Sequence, residues 1–153
     1  MKIAVFPGSF DPITLGHESI IRRSLPLFDK IIIAIGINTS KKYLFPLEKR
    51  KEWLQKVFAG EGKVSVDSYQ GLTIDYCRQK NAKYVLRGLR SSADYEFERS
   101  IAQMNYAMAS DIETIFIQST PELSAINSTI VRDIIIHGGD AQKFVPRGMR
   151  IRD

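Results

Sequence analysis

The first 21 residues, MKIAVFPGSFDPITLGHESII, contain a short apolar strand, a turn-rich loop and the start of an amphipathic helix. The strand covers Lys2–Phe6, and the loop at 7–16 is rich in Gly, Pro, Ser and Asp, the residues that favour turns. A strand that leads into a helix through such a loop is the first half of a β-α-β unit. The same alternation continues through the rest of the chain.

Four more β-rich runs follow, with helical patterns between them. Ile, Val and Phe are frequent in these runs, and several are apolar at consecutive positions, which is typical of parallel strands buried on both faces. The predicted strands are Lys30–Ile37, Lys63–Ser68, Lys83–Leu86 and Glu113–Ile117. Alternation with short connections predicts an α/β fold with a doubly wound, five-stranded parallel sheet in a single domain, residues 1–153.

Five helices are predicted from apolar residues that recur at helical spacing. Pro46 suits the first position of the second helix, Asn81 the end of the third, and Gly138-Gly139 the end of the fifth. The five predicted faces are Ile20, Ile21, Ser24 and Phe28; Leu47, Trp53, Leu54, Val57 and Phe58; Leu72, Tyr76 and Gln79; Phe97, Ile101, Met104 and Met108; and Ile130, Val131, Ile134 and Ile135.

Composition excludes several classes of protein. With 44% hydrophobic and 25% charged residues the chain is neither disordered, collagen-like nor fibrous. The single cysteine, Cys77, excludes an internal disulfide and a cysteine-cluster metal site. The unbroken apolar run Ile31–Ile35 is far shorter than the roughly 20 residues of a membrane span, and the N-terminus has no signal-peptide core. We expect a soluble, cytoplasmic protein with no membrane partner.

The net charge of +5 indicates an anionic ligand, because Lys and Arg number 22 against 17 Asp and Glu. The basic residues are scattered, with no long basic run and no aromatic-interleaved patch. A small phosphorylated ligand accounts for this excess without a nucleic-acid partner, which we do not expect.

Ligands of a doubly wound sheet bind beyond the carboxyl ends of its strands, where the strand order reverses. After the first strand, Ser9 and Gly8 precede a helix whose free N–H groups favour anions. His17 in its first turn is either a buried core histidine or a donor to a phosphate oxygen. The loop matches neither GxGxxG nor the GxxxxGK[ST] phosphate loop.

Polar residues also follow the second, fourth and fifth strands. The Lys41-Lys42 pair is either solvated or within reach of a phosphate, and the fork of donors on Arg87 and Arg90 suits a phosphate. Arg90 can alternatively pair with Asp94, one helical turn later. Ser and Thr at 124–129 either cap a helix or bind a phosphate at its N-terminus.

Two segments resemble a known family. PGSFDPITLGH, residues 7–17, resembles the signature of HxGH-type nucleotidyltransferases, with Thr14 in place of the first histidine. RGLRSSADYEFERSIAQMN, residues 87–105, resembles the fingerprint of the bacterial phosphopantetheine adenylyltransferases within that superfamily. The resemblance implies a Rossmann-like nucleotidyltransferase fold and transfer of the adenylyl group of ATP to 4′-phosphopantetheine, which gives dephospho-coenzyme A and pyrophosphate. It also implies Mg²⁺ bound mainly through ATP phosphates, a homohexamer, and possible feedback by coenzyme A.

The same resemblance implies roles for individual residues, and no protein ligand to a metal. Those carried over to catalysis are His17, Lys41, Arg90 and Ser128. Those carried over to phosphopantetheine are Ser9, Lys41, Thr73 and Arg87. Those carried over to ATP are Ser9, Phe10, His17, Gly88, Leu89, Arg90, Glu98, Leu123, Ser124, Ala125, Ile126, Asn127, Ser128 and Thr129. Leu123, Ala125 and Asn127 depart from the residues usual in the family.

The implied reaction needs no general base, because the attacking phosphate monoester is already anionic at neutral pH. Orientation and charge neutralisation are what the site supplies. Two alternatives remain at this point: a related nucleotidyltransferase with another acceptor or nucleotide, and a non-catalytic nucleotide-binding module of the same fold. A nucleotide-preference assay distinguishes the related nucleotidyltransferase from an adenylyltransferase. Absence of turnover would indicate the non-catalytic binding module.

Overall fold

The structure is a computed structural model that describes residues 1–152. Its five strands are β1 (Ile3–Gly8), β2 (Lys30–Gly36), β3 (Val64–Tyr69), β4 (Tyr84–Leu89) and β5 (Glu113–Gln118). They form one sheet in the order β3-β2-β1-β4-β5, and all four pairs of neighbours are parallel. The predicted five-stranded, doubly wound parallel sheet is confirmed.

Five α-helices connect the strands and follow the last one. They are α1 (Leu15–Ser24), α2 (Leu47–Val57), α3 (Thr73–Gln79), α4 (Ser92–Met108) and α5 (Ser128–Ile136). Short 3₁₀ turns lie at Leu25–Leu27, Pro121–Leu123 and Gln142–Phe144. Within residues 1–152, none of these helices has both the length and the apolar character needed to cross a membrane.

The central strands are buried on both faces, as their apolar runs predict. In β2, Ile31, Ile33 and Ile35 face one core, which also contains Trp53 and Leu54 of α2. Ile32 and Ala34 face a second core on the opposite side of the sheet, where α3 packs. This alternation follows from the two-residue period of a strand. The edge strands β3 and β5 contain no fully buried residue.

The sheet opens where the strand order reverses. β1 pairs with β2 along its whole length, but its register with β4 covers only Ala4↔Tyr84 and Val5↔Val85. Pro7 has no N–H with which to extend the ladder. The carboxyl halves of β1 and β4 therefore leave a crevice between them.

Two helix ends agree with the sequence. Asn81 has φ +55° after α3, and Gly138 has φ +80° after α5. In both cases the residue after it donates to the helix, Ala82 to the Cys77 carbonyl and Gly139 to the Ile134 carbonyl. These bonds form Schellman motifs, which satisfy carbonyl groups at the helix end.

Three local predictions differ from the structure. Pro46 is the N-cap of α2 rather than its first helical residue. Leu72 precedes α3 and is exposed, as is Gln79, because the buried face of this short helix is formed by Ile74, Tyr76 and Cys77. The predicted face of α4 is the largest difference. Phe97 is 69% exposed, and Glu98 is the one residue of α4 that is buried.

Candidate active site

A cavity of about 530 Å³ lies in the crevice between β1 and β4, and we call it the switch-point cavity. The N-termini of α1 and α5 and one side of α4 complete its walls. Twelve of the residues singled out in the sequence line it: Ser9, Phe10, His17, Lys41, Arg87, Gly88, Arg90, Glu98, Ile126, Asn127, Ser128 and Thr129. The topology thus brings together residues from four separate loops.

The loop after β1 is built on a buried aromatic ring. Phe10 has φ +47°, in the left-handed region, and is only 2% exposed. Its ring packs 5.0 Å from that of His17 and 5.7 Å from that of Phe6. A Cβ on Gly8 would lie 3.0 Å from the Phe10 ring, so this close approach requires glycine. The Phe10 ring therefore supports His17 rather than presenting an open face to a nucleotide.

His17 is held in one orientation by the cap of its own helix. The Thr14 backbone N–H donates to His17 Nδ1 at 3.0 Å, and the Thr14 hydroxyl caps the helix through the His17 N–H. Because Nδ1 accepts this bond, the proton of the neutral imidazole is assigned to Nε2. Burial, with further contributions from the Arg87 and Arg90 charges, lowers the pKa of His17 to about 4. His17 is therefore a neutral imidazole that donates through Nε2–H.

Arg87 spans the opening of the sheet. It lies within β4, which extends to Leu89 and not only to Leu86 as predicted. It donates through Nη1 to the Pro7 carbonyl of β1 at 2.5 Å and pairs with Glu98 through Nη2 at 2.6 Å. Its Nε also lies 3.2 Å from both Glu98 oxygens. This fork geometry fixes the guanidinium at the mouth of the crevice. One N–H on each terminal nitrogen remains for a ligand.

Arg90 pairs with Asp94, the alternative raised by the sequence. Arg90 Nε lies 3.2 Å from Asp94 Oδ2, and the Arg90 backbone N–H donates to the same oxygen at 3.0 Å. Both side chains line the switch-point cavity. The pair therefore sits in the site and does not remove Arg90 from it.

The N-terminus of α5 faces the same cavity. Asn127 caps it by accepting from the Ile130 N–H at 2.9 Å, and the Ser128 hydroxyl donates to the Pro12 carbonyl at 2.8 Å. A Cβ on Gly16, in the first turn of α1, would be in ordinary van der Waals contact with the Ile126 carbonyl at 3.6 Å, so the two helix starts are neighbours. Two helix N-termini thus converge on one space, and both favour an anion.

One cation of the site was missed in the sequence. Arg132 lines the cavity, donating through Nη1 to the Asp11 carbonyl at 2.9 Å and through Nη2 to the Thr129 hydroxyl at 3.2 Å. Its position, four residues after Ser128, places it one turn along the same face of α5. That spacing was the available signal.

A second cavity of about 260 Å³ adjoins the first, and we call it the side cavity. Arg87 and Glu98 line both cavities and stand at their boundary. Thr73, predicted to line a pantetheine pocket, lies in the side cavity, and its hydroxyl is 2.8 Å from that of Tyr69. Apolar Val85 and Ile101 contribute further wall.

Four predicted ATP residues line neither cavity: Leu89, Leu123, Ser124 and Ala125. The last three belong to the turn immediately before Ile126, where the Ser124 hydroxyl donates to the Pro121 carbonyl at 2.9 Å. They flank the switch-point cavity in sequence. A larger cavity of about 900 Å³ lies apart from them, between α5 and residues 139–152, and contains none of the predicted residues.

No cluster of three or more potential metal ligands occurs among the described residues. The two carboxylates that line the switch-point cavity, Asp94 and Glu98, are both paired with arginines. The cavity therefore offers a cation no unpaired carboxylate from residues 1–152.

Comparison with known proteins shows the family of the chain. The sequence profile of the cytidylyltransferase-like family matches residues 5–134. The chain is 53% identical over 152 residues to a phosphopantetheine adenylyltransferase of Flavobacterium johnsoniae, with 99% of both chains covered. It is 55% identical over 152 residues to the phosphopantetheine adenylyltransferase of Flavobacterium psychrophilum, covering 99% of this chain and 100% of that one.

Solved structures of lower identity share the fold. A putative nicotinate-nucleotide adenylyltransferase of Vibrio parahaemolyticus superposes with a TM-score of 0.69 at 22% identity, over 95% of this chain and 94% of that one. A bifunctional NMN adenylyltransferase/ADP ribose pyrophosphatase of Francisella tularensis gives a TM-score of 0.72 at 21% identity. That match covers 94% of this chain and 44% of the other.

Proposed function

This chain belongs to the phosphopantetheine adenylyltransferases of the cytidylyltransferase-like family, and we propose that the switch-point cavity is where its reaction takes place. The enzyme transfers the adenylyl group of ATP to 4′-phosphopantetheine, giving dephospho-coenzyme A and pyrophosphate for coenzyme A biosynthesis. Residues 1–153 act as one nucleotidyltransferase domain in this proposal.

The observation that carries the proposal is the meeting of the two cavities at Arg87. The switch-point cavity offers phosphate-binding groups, namely two helix N-termini and several cations. The side cavity is smaller, has apolar walls from Val85 and Ile101, and suits the pantetheine arm. A phosphate bound by Arg87 at their boundary would face the α-phosphate of ATP.

The chemical step is an in-line displacement at that α-phosphate. An oxygen of the phosphopantetheine phosphate forms the new P–O bond, and the bond to the β-phosphate breaks as pyrophosphate leaves. The nucleophile is anionic near neutral pH, since a phosphate monoester has its second pKa near 6. No proton is removed from it, so no general base is needed. His17 is also not available as one, because its Nδ1 accepts a hydrogen bond from the Thr14 N–H.

Charge that develops on the transferred and leaving phosphates is met by donors from several elements. We assign Lys41 and neutral His17 to the phosphates near the reacting atom, with Arg90 beside them. The free first-turn N–H groups of α5, at Ser128 and Thr129, serve the same purpose together with Arg132. Each such donor is worth about 3–4 kcal/mol of barrier lowering where it has been measured in other enzymes.

The remaining assignments concern orientation of the two substrates. Ser9 would contact both, and Thr73 would line the pantetheine arm. Glu98 would contact ATP while its carboxylate holds the Arg87 guanidinium. For the nucleoside we propose the end of β4 and the turn before α5: Gly88, Leu89, Leu123, Ser124, Ala125, Ile126 and Asn127. Phe10, whose ring is buried, would act on ATP by supporting His17 beside its phosphates.

Mg²⁺ would enter with ATP and be held mainly by phosphate and water oxygens. This fits a cavity whose carboxylates, Asp94 and Glu98, are already paired with arginines. A hard cation of this kind commonly retains several waters and binds through substrate phosphates. The ion would neutralise negative charge on the ATP phosphates.

We further propose a cytoplasmic homohexamer. This proposal rests on the family resemblance. α4 offers a surface for contacts between copies, because the apolar side chains of Phe97, Ile101, Met104 and Met108 are exposed, although Phe97 and Ile101 also line the cavities. A contiguous patch of this kind commonly marks a protein contact. Feedback by coenzyme A follows if that molecule, which contains the same pantetheine arm, occupies the side cavity.

The proposed function is tested by pyrophosphate release with ATP, Mg²⁺ and 4′-phosphopantetheine. Pantetheine, which lacks the phosphate, is the matched control. We expect release with the phosphorylated acceptor and none above background with the control. Release that is equal with both compounds, or a preference for CTP over ATP, would contradict the assignment.

A further inference from the structure

Lys41 is carried by a loop, residues 37–46, which connects β2 to α2 and which we call the Lys41 loop. Lys41 itself is exposed and makes no ion pair within residues 1–152. Its ammonium lies 5.5 Å from the centre of the Tyr43 ring. A long side chain on an exposed loop has no fixed place of its own, so its position depends on what anchors the loop.

The anchor is a buried arginine on the next helix. Arg50 of α2 is 4% exposed, donates through Nε to the Phe45 carbonyl at 3.0 Å, and donates through Nη1 to the Ser9 carbonyl at 2.8 Å. Its guanidinium also lies 4.1 Å from the centre of the Tyr43 ring. One side chain thus contacts the Lys41 loop at two points and the Ser9 loop at a third.

A buried carboxylate makes a second tie between the same two loops. Asp11 is 2% exposed, and its two oxygens accept from the backbone N–H groups of Leu44 at 2.8 Å and Phe45 at 2.9 Å. The Asp11 carbonyl in turn accepts from Arg132 in the cavity wall. The Lys41 loop is therefore tied to the loop after β1 by one cation and one anion.

Packing alone does not account for these charges. Burying a charged group costs free energy unless it is well paired, and an apolar side chain could fill the same volume. Burial does lower the pKa of the Arg50 guanidinium, while the Asp11 charge partly restores it. The planar fork of arginine does what an apolar residue cannot, since it bonds carbonyls of two different loops at once.

We propose that Arg50, with Asp11, is a positioning residue that holds the Lys41 loop in register with Ser9 and so presents Lys41 to the reacting phosphates. This inference rests on the proposed function for its catalytic part, and on the loop contacts for its structural part. Arg50 touches neither substrate in this scheme and acts through Lys41 and Ser9.

The structural part is tested by limited digestion with trypsin, which cleaves after Lys41 and Lys42 in the exposed loop. The Arg50→Gln variant removes the charge and the fork, and Arg50→Lys keeps only the charge. Lys49→Gln is the matched control, because Lys49 is the preceding residue of α2 and its side chain lies against Trp53 and Glu52. Its one bond to the loop, from its backbone N–H to the Pro46 carbonyl, is kept in the variant. We expect several-fold faster cleavage for both Arg50 variants and an unchanged rate for Lys49→Gln.

The catalytic part is tested by a double-mutant cycle. We expect Arg50→Gln to lower kcat about 10- to 100-fold, as loss of a supporting contact does elsewhere. In a Lys41→Ala background the same substitution should lower kcat only a few-fold, because the group that it positions is gone. A merely structural role would give the same fold-loss in both backgrounds.

The outcomes are distinguishable. An unchanged rate of trypsin cleavage in a folded Arg50→Gln protein overturns the proposal. So does a double-mutant cycle in which Arg50→Gln lowers kcat by the same factor with and without Lys41. If Arg50→Gln lowers the melting temperature strongly, Asp11→Asn replaces it in both tests, because it weakens the second tie without removing a side chain. Full activity of Lys41→Ala would instead refute the catalytic role of Lys41, and trypsin cleavage alone would then decide whether Arg50 holds the loop.

Discussion

The two sides of the switch-point cavity deliver positive charge in different ways. On one side Arg87 stands on β4, and its guanidinium is fixed by Glu98 and by the Pro7 carbonyl of the neighbouring strand. On the other side Lys41 stands on an exposed loop and owes its place to Arg50 and Asp11 beneath it. A cation on a strand is part of the framework, whereas a cation on a loop can be changed without disturbing the fold.

This difference separates what each residue contributes. Arg87 links fold and binding, because its side chain is 30% exposed and its partner Glu98 is 11% exposed. Lys41 can serve turnover alone, because nothing in the core depends on it. Three substitutions and one titration test whether Lys41 serves turnover alone while Arg87 serves both stability and binding.

Replacing Lys41 by Ala should lower kcat about 100- to 1,000-fold, the loss seen elsewhere for one donor aimed at developing charge. The melting temperature should stay within about 1 °C of the wild type, since surface changes away from packed features shift stability little. Steady-state kinetics and thermal unfolding measure the two quantities. Near-normal turnover would remove Lys41 from the reaction.

Replacing Arg87 by Ala should weaken phosphopantetheine binding about 10- to 100-fold, corresponding to charged hydrogen bonds of about 1.5–3 kcal/mol. The effect on ATP binding should be smaller. Unlike Lys41→Ala, this change should also lower the free energy of unfolding by about 1–3 kcal/mol, because Glu98 loses its partner. Titration calorimetry and denaturant unfolding measure these effects. Equal losses of both ligands would contradict the division between the cavities.

His17 lies between the two sides and should remain neutral in the folded protein down to about pH 5. Its pKa is lowered to about 4, so the unfolded chain binds the proton first as the pH falls below its ordinary value of about 6.5. The stability that neutral His17 contributes is therefore complete above pH 6.5 and is lost progressively between pH 6.5 and 4.

Proton NMR checks this, with His17→Asn identifying the resonance by its absence. A His17 resonance that titrates near pH 6.5 would contradict the neutral-donor assignment. The His17→Asn variant should also show a smaller loss of stability between pH 6.5 and 4 than the wild type. In turnover we expect His17→Asn to retain any inflection near pH 6, because that inflection comes from the substrate phosphate.

Replacing Asp94 by Asn should have the smallest effect. The Arg90–Asp94 pair is partly exposed, and pairs of this spacing contribute about 0.3–0.5 kcal/mol. Arg90 stays at the end of β4 without it, so kcat should change less than about threefold. A loss as large as that of Lys41→Ala would show that Arg90 depends on its partner as Lys41 depends on Arg50.

Much of the fold could be predicted because it follows from local patterns. Consecutive apolar residues in β2 predict a strand buried on both faces, and Asn81 and Gly138 predict helix ends. The face of α4 was harder, because helical spacing shows that apolar residues share a face but not what covers it. Leu72 and Gln79 were misassigned because α3 is too short for its period to be distinctive.

The site could be predicted only in part. Five residues predicted near strand ends, Ser9, His17, Lys41, Arg87 and Arg90, line one cavity. Arg132 was missed although its spacing from Ser128 was visible, and Arg50 and Asp11 were missed because nothing local marks them. Three of the four hydrogen bonds that these two side chains make join residues more than 30 positions apart, and only folding brings those carbonyl and N–H groups within reach.

The alternation of strands and helices, the family, and the side chains able to meet a phosphate follow from the amino-acid sequence alone, because they depend on residue type and short-range period. The tertiary structure decided the rest. It pairs Arg87 with Glu98 and places the Thr14 N–H against Nδ1 of His17. It also separates β1 from β4 beyond Val5 and Val85, and it places the buried Arg50 against two loops. Protonation state, orientation and support depend on neighbours in space, and those neighbours exist only once the chain has folded.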